Sequence, residues 1–293
     1  MKKNNYLIDF KELKKSGLKI WRKKKFNEFV SKYGKPRILD GYADILKDEF
    51  GNYMKDASTT QLIKVVEFDK EVGNYILKYL LDFEQRFNTV LIATILKEYN
   101  LNNNYVLTED NCPWLSFKSF EEKNNFFNNI WQNVDSSNFL KKYEDKKNIP
   151  LLNVSMSWTF FNIIVFYESV DIDIQNKVIQ GLGINNWNVD VFKSMIHIIR
   201  RLRNTISHND LLISSKFEIY RTLIKKAKLD ENKTFFYIYD VCMLLDIIYP
   251  TKNGICNQIT KLLNKKKFKN NIKNKIINLV GINSDFKIEI NKE

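Results

Sequence analysis

The sequence is poor in cysteine, proline, glycine and histidine, and each shortage excludes a class of structure. Its 293 residues include only 3 Cys, 4 Pro, 9 Gly and 2 His. The cysteines, Cys112, Cys242 and Cys256, lie far apart without a Cys-x-x-Cys pair, which argues against a disulfide framework and against a cysteine-based zinc site. Because turn-forming residues are so few, long helices are favoured over a strand-rich sandwich.

Long apolar runs are also missing. No stretch approaches the roughly 18 consecutive apolar residues typical of a membrane-spanning helix. The first ten residues, MKKNNYLIDF, lack the apolar core of a signal peptide. We therefore expect a cytoplasmic protein that is neither secreted nor bound to a membrane.

The sequence lacks the motifs of cofactor and metal sites. Gly181 and Gly183 have no preceding strand and no third glycine, so they do not form a nucleotide-binding loop. Paired carboxylates such as Glu121 and Glu122 are expected to face solvent, because no histidine or further acid lies near them at metal-ligand spacing. We expect no cofactor and no bound metal.

What the chain has in excess is positive charge. It contains 47 Lys and Arg against 34 Asp and Glu, a formal net charge of +13. A field of this sign attracts polyanions, nucleic acid first and anionic membranes second. The content of apolar residues, 44%, with 14% aromatics, indicates a folded globule with a sizeable core.

Apolar residues recur at helical spacing over most of the chain. From Gln61 to about Tyr99 they follow one another every three or four positions, interrupted only by Gly73, which predicts one long helix. Further helices are predicted over residues 156–170, 190–206 and 233–249, and the tail from Asn257 is amphipathic and basic. These patterns predict an all-α fold with additional N- and C-terminal helices.

Two basic runs lie in the terminal regions and are candidate RNA contacts. They consist of Arg22, Lys23, Lys24 and Lys25 near the N-terminus, and of Lys265, Lys266 and Lys267 in the C-terminal tail. Trp21, Phe26 and Phe268 are neighbouring aromatics that would stack on bases. The alternative is that each run is a solvated helix face above buried aromatics.

The stretch RLRNTISHND, residues 201–210, concentrates polar groups at the end of a predicted helix. On an ideal helix, at about 100° per residue, Val191, Met195, Ile198, Ile199, Leu202 and Ile206 form an apolar stripe. His197, Arg200, Arg201, Asn204 and His208 fall on the other side, and Arg203 lies at the border. This placement argues against the usual interpretation of a histidine in such a helix, a satisfied core residue.

Three interpretations of this stretch remain open. It is a solvated polar face, or a helix C-terminus at which Asn209 provides the cap, or a phosphate-binding site. In the last case Arg200, Arg201, Arg203 and Asn209 would bind RNA phosphates, and His208 would transfer protons near neutral pH. Arg203 and His208 lie about 140° apart on an unbroken helix, so they converge only if the helix unwinds near Ser207 or if another chain completes the site.

Three segments carry a family resemblance. The segment LRNTISHND resembles the LRN-x-x-(A/S)-H-N stretch of the Abi-like abortive-infection proteins of the AbiD/AbiF type, and Arg203 with His208 matches the Arg-x4-6-His motif of HEPN domains. The segment PRILDGYADILKD, residues 36–48, resembles the NGY-type segment of that family. The segment from Phe68 to Ile95 resembles its long helix beginning Phe-Asp.

The resemblance implies a helical bundle built on a HEPN-like core, and a relationship to the Cas13 effectors. The core would cover residues 60–250, between an N-terminal helical region with a basic run, residues 1–59, and a basic helical tail, residues 251–293, all within one compact unit. It further implies a metal-independent endoribonuclease of an anti-phage toxin system that is associated with a non-coding RNA. In such enzymes the ribose 2′-hydroxyl attacks the adjacent phosphodiester and leaves a 2′,3′-cyclic phosphate.

Residue roles follow from the same resemblance. His208 would be the acid and base group, Arg203 would stabilise the phosphorane-like charge, and Asn204 would position one of them. Arg201 also fits the looser motif spacing. Because each chain has one motif histidine, the resemblance implies a homodimer with a composite site.

Two other functions compete with this hypothesis. One is a non-catalytic RNA-binding protein that assembles with a structured RNA, in which the arginines bind phosphate and His208 has no role. The other is a structural helical partner protein, which would purify free of nucleic acid.

Overall fold

The computed structural model describes residues 8–108, 111–112, 115–117, 119–131, 134, 137–138, 140–143, 145, 148–184, 187–219, 234–250 and 253–282. Over these residues the fold is helical, which confirms the predicted all-α class. The α-helices are α1 Phe10–Lys15, α2 Lys23–Tyr33, α3 Thr59–Glu98, α4 Phe120–Trp131, α5 Leu151–Ser155, α6 Phe160–Ser169, α7 Ile172–Gly181, α8 Val189–Ser207, α9 Ile238–Ile248, α10 Ile255–Lys265 and α11 Asn270–Val280.

Shorter elements complete the described fold. A π-turn, Arg37–Gly41, runs into a 3-10 turn, Tyr42–Leu46, and a second 3-10 turn covers Leu140–Lys142. Strands β1 Phe217–Glu218 and β2 Phe235–Phe236 pair antiparallel, with Phe217 opposite Phe236. The predicted helix over residues 233–249 is therefore wrong at its start, because Phe235 and Phe236 pair with β1 and the helix begins at Ile238; residue 233 lies outside the described residues.

Helix α3 forms where the spacing of apolar residues predicts it and continues through Gly73. The Ser58 hydroxyl accepts a hydrogen bond from the Gln61 amide (3.2 Å) and thereby caps the first turn. The Thr59 side chain bonds instead to another segment: its hydroxyl accepts a hydrogen bond from the Trp21 amide (2.9 Å) and donates one to the Trp21 carbonyl (2.8 Å). The buried face of the helix includes Val65, Phe68, Val72, Ile76, Leu80, Phe83, Phe87, Leu91 and Ile95.

The chain divides into two compact units. Of the described residues, the first comprises 8–78, 202–218, 234–250 and 253–282, and the second is formed mainly by those within 79–201. The largest buried side chains of the first unit include Phe26, Tyr42 and Phe68, none of which is measurably exposed.

An aromatic cluster forms the centre of the second unit. The Phe87, Tyr167 and Phe192 rings lie edge-on to one another, with centroids 5.3 to 5.5 Å apart. Such edge-to-face pairs add to the free energy that burial of the rings supplies. Helix α6, predicted from residue 156, begins only at Phe160, because Thr159 and Asn162 form a reciprocal capping box there.

Candidate functional site

Helix α8 ends in a tight hydrogen-bonded turn at the centre of the RLRNTISHND stretch. The Asn209 amide donates to the Ile206 carbonyl (3.0 Å), and the Asp210 amide donates to the Thr205 carbonyl (2.9 Å). Asn209 has a φ of +60°, in the left-handed region that asparagine tolerates better than most residues. These two bonds and this φ define a Schellman motif, so the interpretation of Asn209 as the helix cap is confirmed.

His208 is the last residue to keep the register of α8. Its amide donates to the Asn204 carbonyl (2.9 Å), as in the preceding helical turn, while its side chain is exposed. The expectation that His208 is not a core residue is therefore confirmed. The chain leaves the helix only after His208, so the angular separation from Arg203, about 140°, persists.

The other predicted catalytic residues lie on the last turn of α8. Asn204 is exposed and Arg203 is half-buried, both in the first unit. The helix does not unwind before His208. One of the two ways in which Arg203 and His208 were expected to converge is therefore not realised.

The arginines predicted to bind RNA have different surroundings within the second unit. The Arg200 guanidinium lies over the Phe161 ring, 5.2 Å from its centroid, and its buried Nε has no hydrogen-bond partner among the residues that the structure describes. Arg201 is half-buried. The packing on Phe161 gives Arg200 a structural contact that the sequence does not reveal.

The second histidine has a carboxylate partner. His197 Nε2 lies 2.8 Å from Glu168 Oε1, so a side chain of α8 is tied to α6 within the second unit. This contact gives His197 a structural role, in contrast to the exposed His208.

A buried aspartate anchors the chain that follows His208. Asp69 on α3 is 2% exposed. Its Oδ2 accepts a hydrogen bond from the Tyr42 hydroxyl (2.5 Å), and its Oδ1 accepts from the Ile213 amide (2.7 Å). We call these three groups the aspartate clamp. It joins α3 to the 3-10 turn at Tyr42 and to the loop after α8, and so holds that loop against α3.

Burial governs the protonation of the aspartate clamp. It raises the pKa of Asp69, although hydrogen bonds from Tyr42 and from the amides of Ile213 and Leu212 oppose the change. Burial, followed by the Asp69 charge, also raises the pKa of Tyr42 well above its ordinary value.

Sequence reasoning missed Tyr42 and Asp69 as individual residues, although both lie in segments that carry the family resemblance. A signal was present at Asp69. It follows Val65 by four positions and precedes Val72 by three, so it falls on the apolar stripe of α3. A carboxylate on such a stripe predicts a buried polar contact.

A further cation, Lys70, reaches the turn that carries His208, and a second, Arg37, lies near enough to Lys70 to affect its pKa. Lys70 Nζ donates to Asn209 Oδ1 (2.5 Å). Burial lowers the pKa of Lys70, and so does the neighbouring charge of Arg37, while Asp69 and Asp210 oppose them. The sequence did not predict either cation, because both are distant from the RLRNTISHND stretch along the chain.

A small cavity lies between α3 and the end of α8, lined by Asp69 and Lys70 on the α3 side. Its volume is about 20 Å³, and its lining includes Asn74, Ile206 and Asn209. This space suffices for about one water molecule, so a nucleotide would have to bind at the open surface around His208.

The N-terminal basic run is exposed over all four residues from Arg22 to Lys25. Lys23 Nζ lies 5.7 Å from the centroid of the Phe10 ring. Phe26 is fully buried, so it is wrong as a stacking partner, whereas Trp21 is 62% exposed.

In the C-terminal basic run, Lys265 and Lys267 are exposed but Lys266 is occupied. Lys266 Nζ pairs with Glu71 (2.6 Å) and Glu67 (3.3 Å), and its side chain is only 13% exposed. Phe268 packs edge-on against Phe68, at 5.8 Å between centroids, and is also wrong as a stacking partner.

Neither a metal site nor a membrane-spanning helix is found in the described part of the chain. It contains no group of three or more His, Cys, Asp or Glu side chains arranged to hold a metal ion. No helix in the described ranges is both long and apolar enough to cross a membrane.

Comparison with known proteins gives one family match. The sequence model of a family described as Abi-like protein matches residues 28–214, more than half of the 293 residues. The matched span includes Tyr42, Asp69 and His208, and therefore the whole aspartate clamp and the turn that it anchors. No curated protein and no solved structure matches the chain significantly.

Proposed function

Because the chain belongs to the Abi-like protein family, we propose that it is a HEPN-type, metal-independent endoribonuclease of a bacterial abortive-infection system, bound and regulated by a cognate non-coding RNA. The observation that supports this most directly is the exposed His208 at the end of α8. Its backbone position is set twice, by the Schellman turn and by the aspartate clamp. A side chain held at a fixed place yet open to solvent suits proton transfer to a large substrate.

The charges around His208 suit a phosphodiester substrate. Arg203 lies on the preceding turn of α8, and Lys70 reaches the Asn209 side chain beside it. Cations placed where negative charge develops lower the barrier of phosphoryl transfer. Asn204, four residues before His208, is exposed on the same helical face and would orient the imidazole or the phosphate.

The proposed step is an internal transesterification of RNA. A histidine removes the proton of the ribose 2′-hydroxyl, and the 2′-oxygen forms a bond to phosphorus. The bond from phosphorus to the 5′-oxygen breaks, and a protonated histidine supplies that oxygen with a proton. The products are a 2′,3′-cyclic phosphate and a 5′-hydroxyl, with Arg203 stabilising the pentacoordinate charge.

This step uses one base and one acid, whereas each chain supplies one His208. The proposal therefore includes a homodimer in which two copies of the motif form the site. A second chain would also supply the convergence that Arg203 and His208 of one chain do not reach on the same helix.

The nuclease assignment is tested by His208→Ala, with His197→Ala as the matched histidine control. Purified protein is incubated with a labelled synthetic RNA, and the ends are identified by mass spectrometry. We expect His208→Ala to lower cleavage by about 10²-fold or more, the usual range for a general acid or base, and to relieve growth arrest in cells. His197→Ala should keep the activity. If His208→Ala cleaves normally, the catalytic assignment is wrong; if neither the parent protein nor any variant cleaves but all bind RNA, the protein is a non-catalytic RNA-binding protein.

Mixing the two proteins tests the composite site. Equal amounts of the parent and His208→Ala chains, exchanged to equilibrium, should retain about one quarter of the activity if both histidines of a dimer are needed. Independent sites would retain about one half. Light scattering of the active sample checks the dimer, and a monomer of full activity would contradict this part of the proposal.

A further inference from the structure

A basic cleft lies in the first unit, between the start of α3 and the start of α11. Its volume is about 620 Å³. Three lysines line it, Lys64 from α3 and Lys267 and Lys269 from the segment before α11, and Asp56 is the one carboxylate among the lining residues. The cleft therefore carries an excess of two positive charges. Lys64 lies more than 200 residues from the other two lysines in the chain, so folding creates this cluster.

Packing against α3 fixes the segment that carries two of these lysines. Lys64 Nζ donates to the Lys267 carbonyl (3.0 Å), and the Lys269 amide donates to Gln61 Oε1 (3.4 Å). Between them Phe268 is buried against Phe68. The backbone is therefore held while the Lys267 and Lys269 side chains remain exposed.

The start of α11 adds hydrogen-bond donors to the same cleft. Asn270 and Asn271, its first residues, line the cleft, and among the described residues the N-cap residue, Lys269, makes no capping hydrogen bond through its side chain. The first turn also contains no acidic residue. Uncapped amide groups at a helix N-terminus favour anionic oxygens, so they reinforce the preference that the lysines set.

An exposed aromatic and a second basic run lie on the segment that is hydrogen-bonded to the start of α3. The backbone of Trp21 is hydrogen-bonded in both directions to Thr59, two residues before Gln61, which lines the cleft. Trp21 is 62% exposed, and the exposed run from Arg22 to Lys25 follows it. Basic grooves combined with exposed aromatics are typical of proteins that bind single-stranded RNA.

We propose that the cleft formed by Lys64, Lys267 and Lys269 binds the phosphates of an RNA strand that continues over Trp21 and the Arg22–Lys25 run. The identification of the ligand as RNA rests on the proposed function, but binding in the cleft requires neither His208 nor cleavage. Lys266 takes no part, because Glu67 and Glu71 occupy its ammonium group. The cleft thus replaces the contiguous Lys265–Lys267 run as the C-terminal part of the RNA surface.

The test measures binding of an RNA with 2′-O-methyl riboses, which lack the hydroxyl that the proposed cleavage requires, in the His208→Ala background. A fluorescein-labelled 20-nucleotide single-stranded RNA is titrated with the double variant Lys267→Gln/Lys269→Gln, followed by fluorescence anisotropy. The control is Lys97→Gln/Lys261→Gln, which removes two exposed lysines outside the cleft and changes the net charge equally. For single strands, each lost phosphate contact reduces the salt slope by about 0.7, so the double variant should lose about 1.4 and bind roughly tenfold more weakly near 0.15 M salt.

Two results would overturn the proposal. One is equal RNA binding by the cleft variant and the control variant. The other is that the cleft lysines are needed for binding to vesicles of phosphatidylglycerol and phosphatidylcholine but not to RNA, which would make the surface a membrane contact. Neither result bears on His208-dependent cleavage, and loss of the nuclease assignment would leave this binding measurement unaffected.

Discussion

The aspartate clamp makes a sharp prediction about stability. Replacing Asp69 by alanine removes both acceptors at once. The Tyr42 hydroxyl, on a residue with no measurable exposure, and the amide of Ile213, which is 2% exposed, would then have lost their partner inside the first unit. Neither group is open to solvent in the parent protein, so the substitution exposes the desolvation cost of both donors, reduced by any water that enters the adjoining cavity, which Asp69 lines.

The magnitude follows from counting these donors. An unsatisfied buried donor costs about 1–3 kcal/mol, which for two donors is about 2–6 kcal/mol of unfolding free energy. Burial of the carboxylate is itself unfavourable, as the raised pKa of Asp69 indicates, and its removal returns part of that cost. We therefore expect a loss of about 2–4 kcal/mol for Asp69→Ala. Tyr42→Phe removes one hydrogen bond and should cost less, about 1.5–3 kcal/mol.

Urea unfolding followed by far-ultraviolet circular dichroism measures these changes. Asp82→Ala is the matched control, because Asp82 is an exposed aspartate on the same helix and the charge change is identical. It should change stability by no more than about 0.5 kcal/mol. In the double variant of Asp69 and Tyr42, the losses should fall short of their sum by about 0.5–3 kcal/mol.

Hydrogen exchange locates the effect. Peptides over residues 205–214 should lose protection in Asp69→Ala and keep it in Asp82→Ala. If the two variants unfold at the same urea concentration, the aspartate clamp does not stabilise the protein and the proposed support of His208 fails with it.

Three further predictions concern the same unit. Asn209→Gly should leave stability within about 0.5 kcal/mol, because glycine adopts the left-handed φ of +60° freely, whereas Asn209→Ala should cost about 1 kcal/mol in the same unfolding assay. Gly281→Ala should lower the unfolding free energy by about 2–4 kcal/mol, since the φ of Gly281 is +86° and an added Cβ would lie 2.6 Å from Tyr237 Cβ. Gly51→Ala is the comparison: Gly51 has a φ of +82° with open space around it, so this substitution carries only the cost of the backbone conformation. Burial raises the pKa of Asp69 in the folded protein above its ordinary value of 3.8, so the contribution of Asp69 to folding stability is fully present below pH 3.8. The unfolding free energy of the parent protein, measured relative to that of Asp69→Asn, should therefore fall as the pH rises from 3.8 through the raised pKa. A difference in unfolding free energy that stays constant across pH 3.5–8 would contradict the raised pKa.

Local sequence patterns predicted the helices well. Helix α3 was expected over residues 61–99 and covers Thr59–Glu98, and α8 was expected over 190–206 and covers Val189–Ser207. The spacing of apolar residues is enough to predict these helices, because a helix of that length buries one face and its apolar residues lie on that face. The left-handed cap at Asn209 was also predictable from local sequence, since asparagine tolerates this conformation and the bonds of the turn reach only three and five residues back.

Contacts between distant segments were not predictable in the same way. Tyr42, Asp69 and Ile213 meet through hydrogen bonds that span 27 and 144 residues, and no periodic pattern encodes such a meeting. The position of Asp69 on an apolar stripe signalled that it had partners, but not which ones. Similarly, the sequence does not distinguish Lys266 from Lys265 and Lys267. Only the packing of α3 near Lys266 brings two glutamates into ion pairs with its ammonium group.

The sequence by itself therefore determined the helical class, the long helix α3, the place where α8 ends and the exposure of His208, because each of these depends on residues within one or two turns of a helix. The tertiary structure alone decided which buried groups hold that helix end, which lysines form the basic cleft, and that Phe26 and Phe268 are core residues. The physical reason is the same in each case: a buried donor, an occupied charge or a covered ring is defined by the atoms packed around it, and those atoms come from distant parts of the chain.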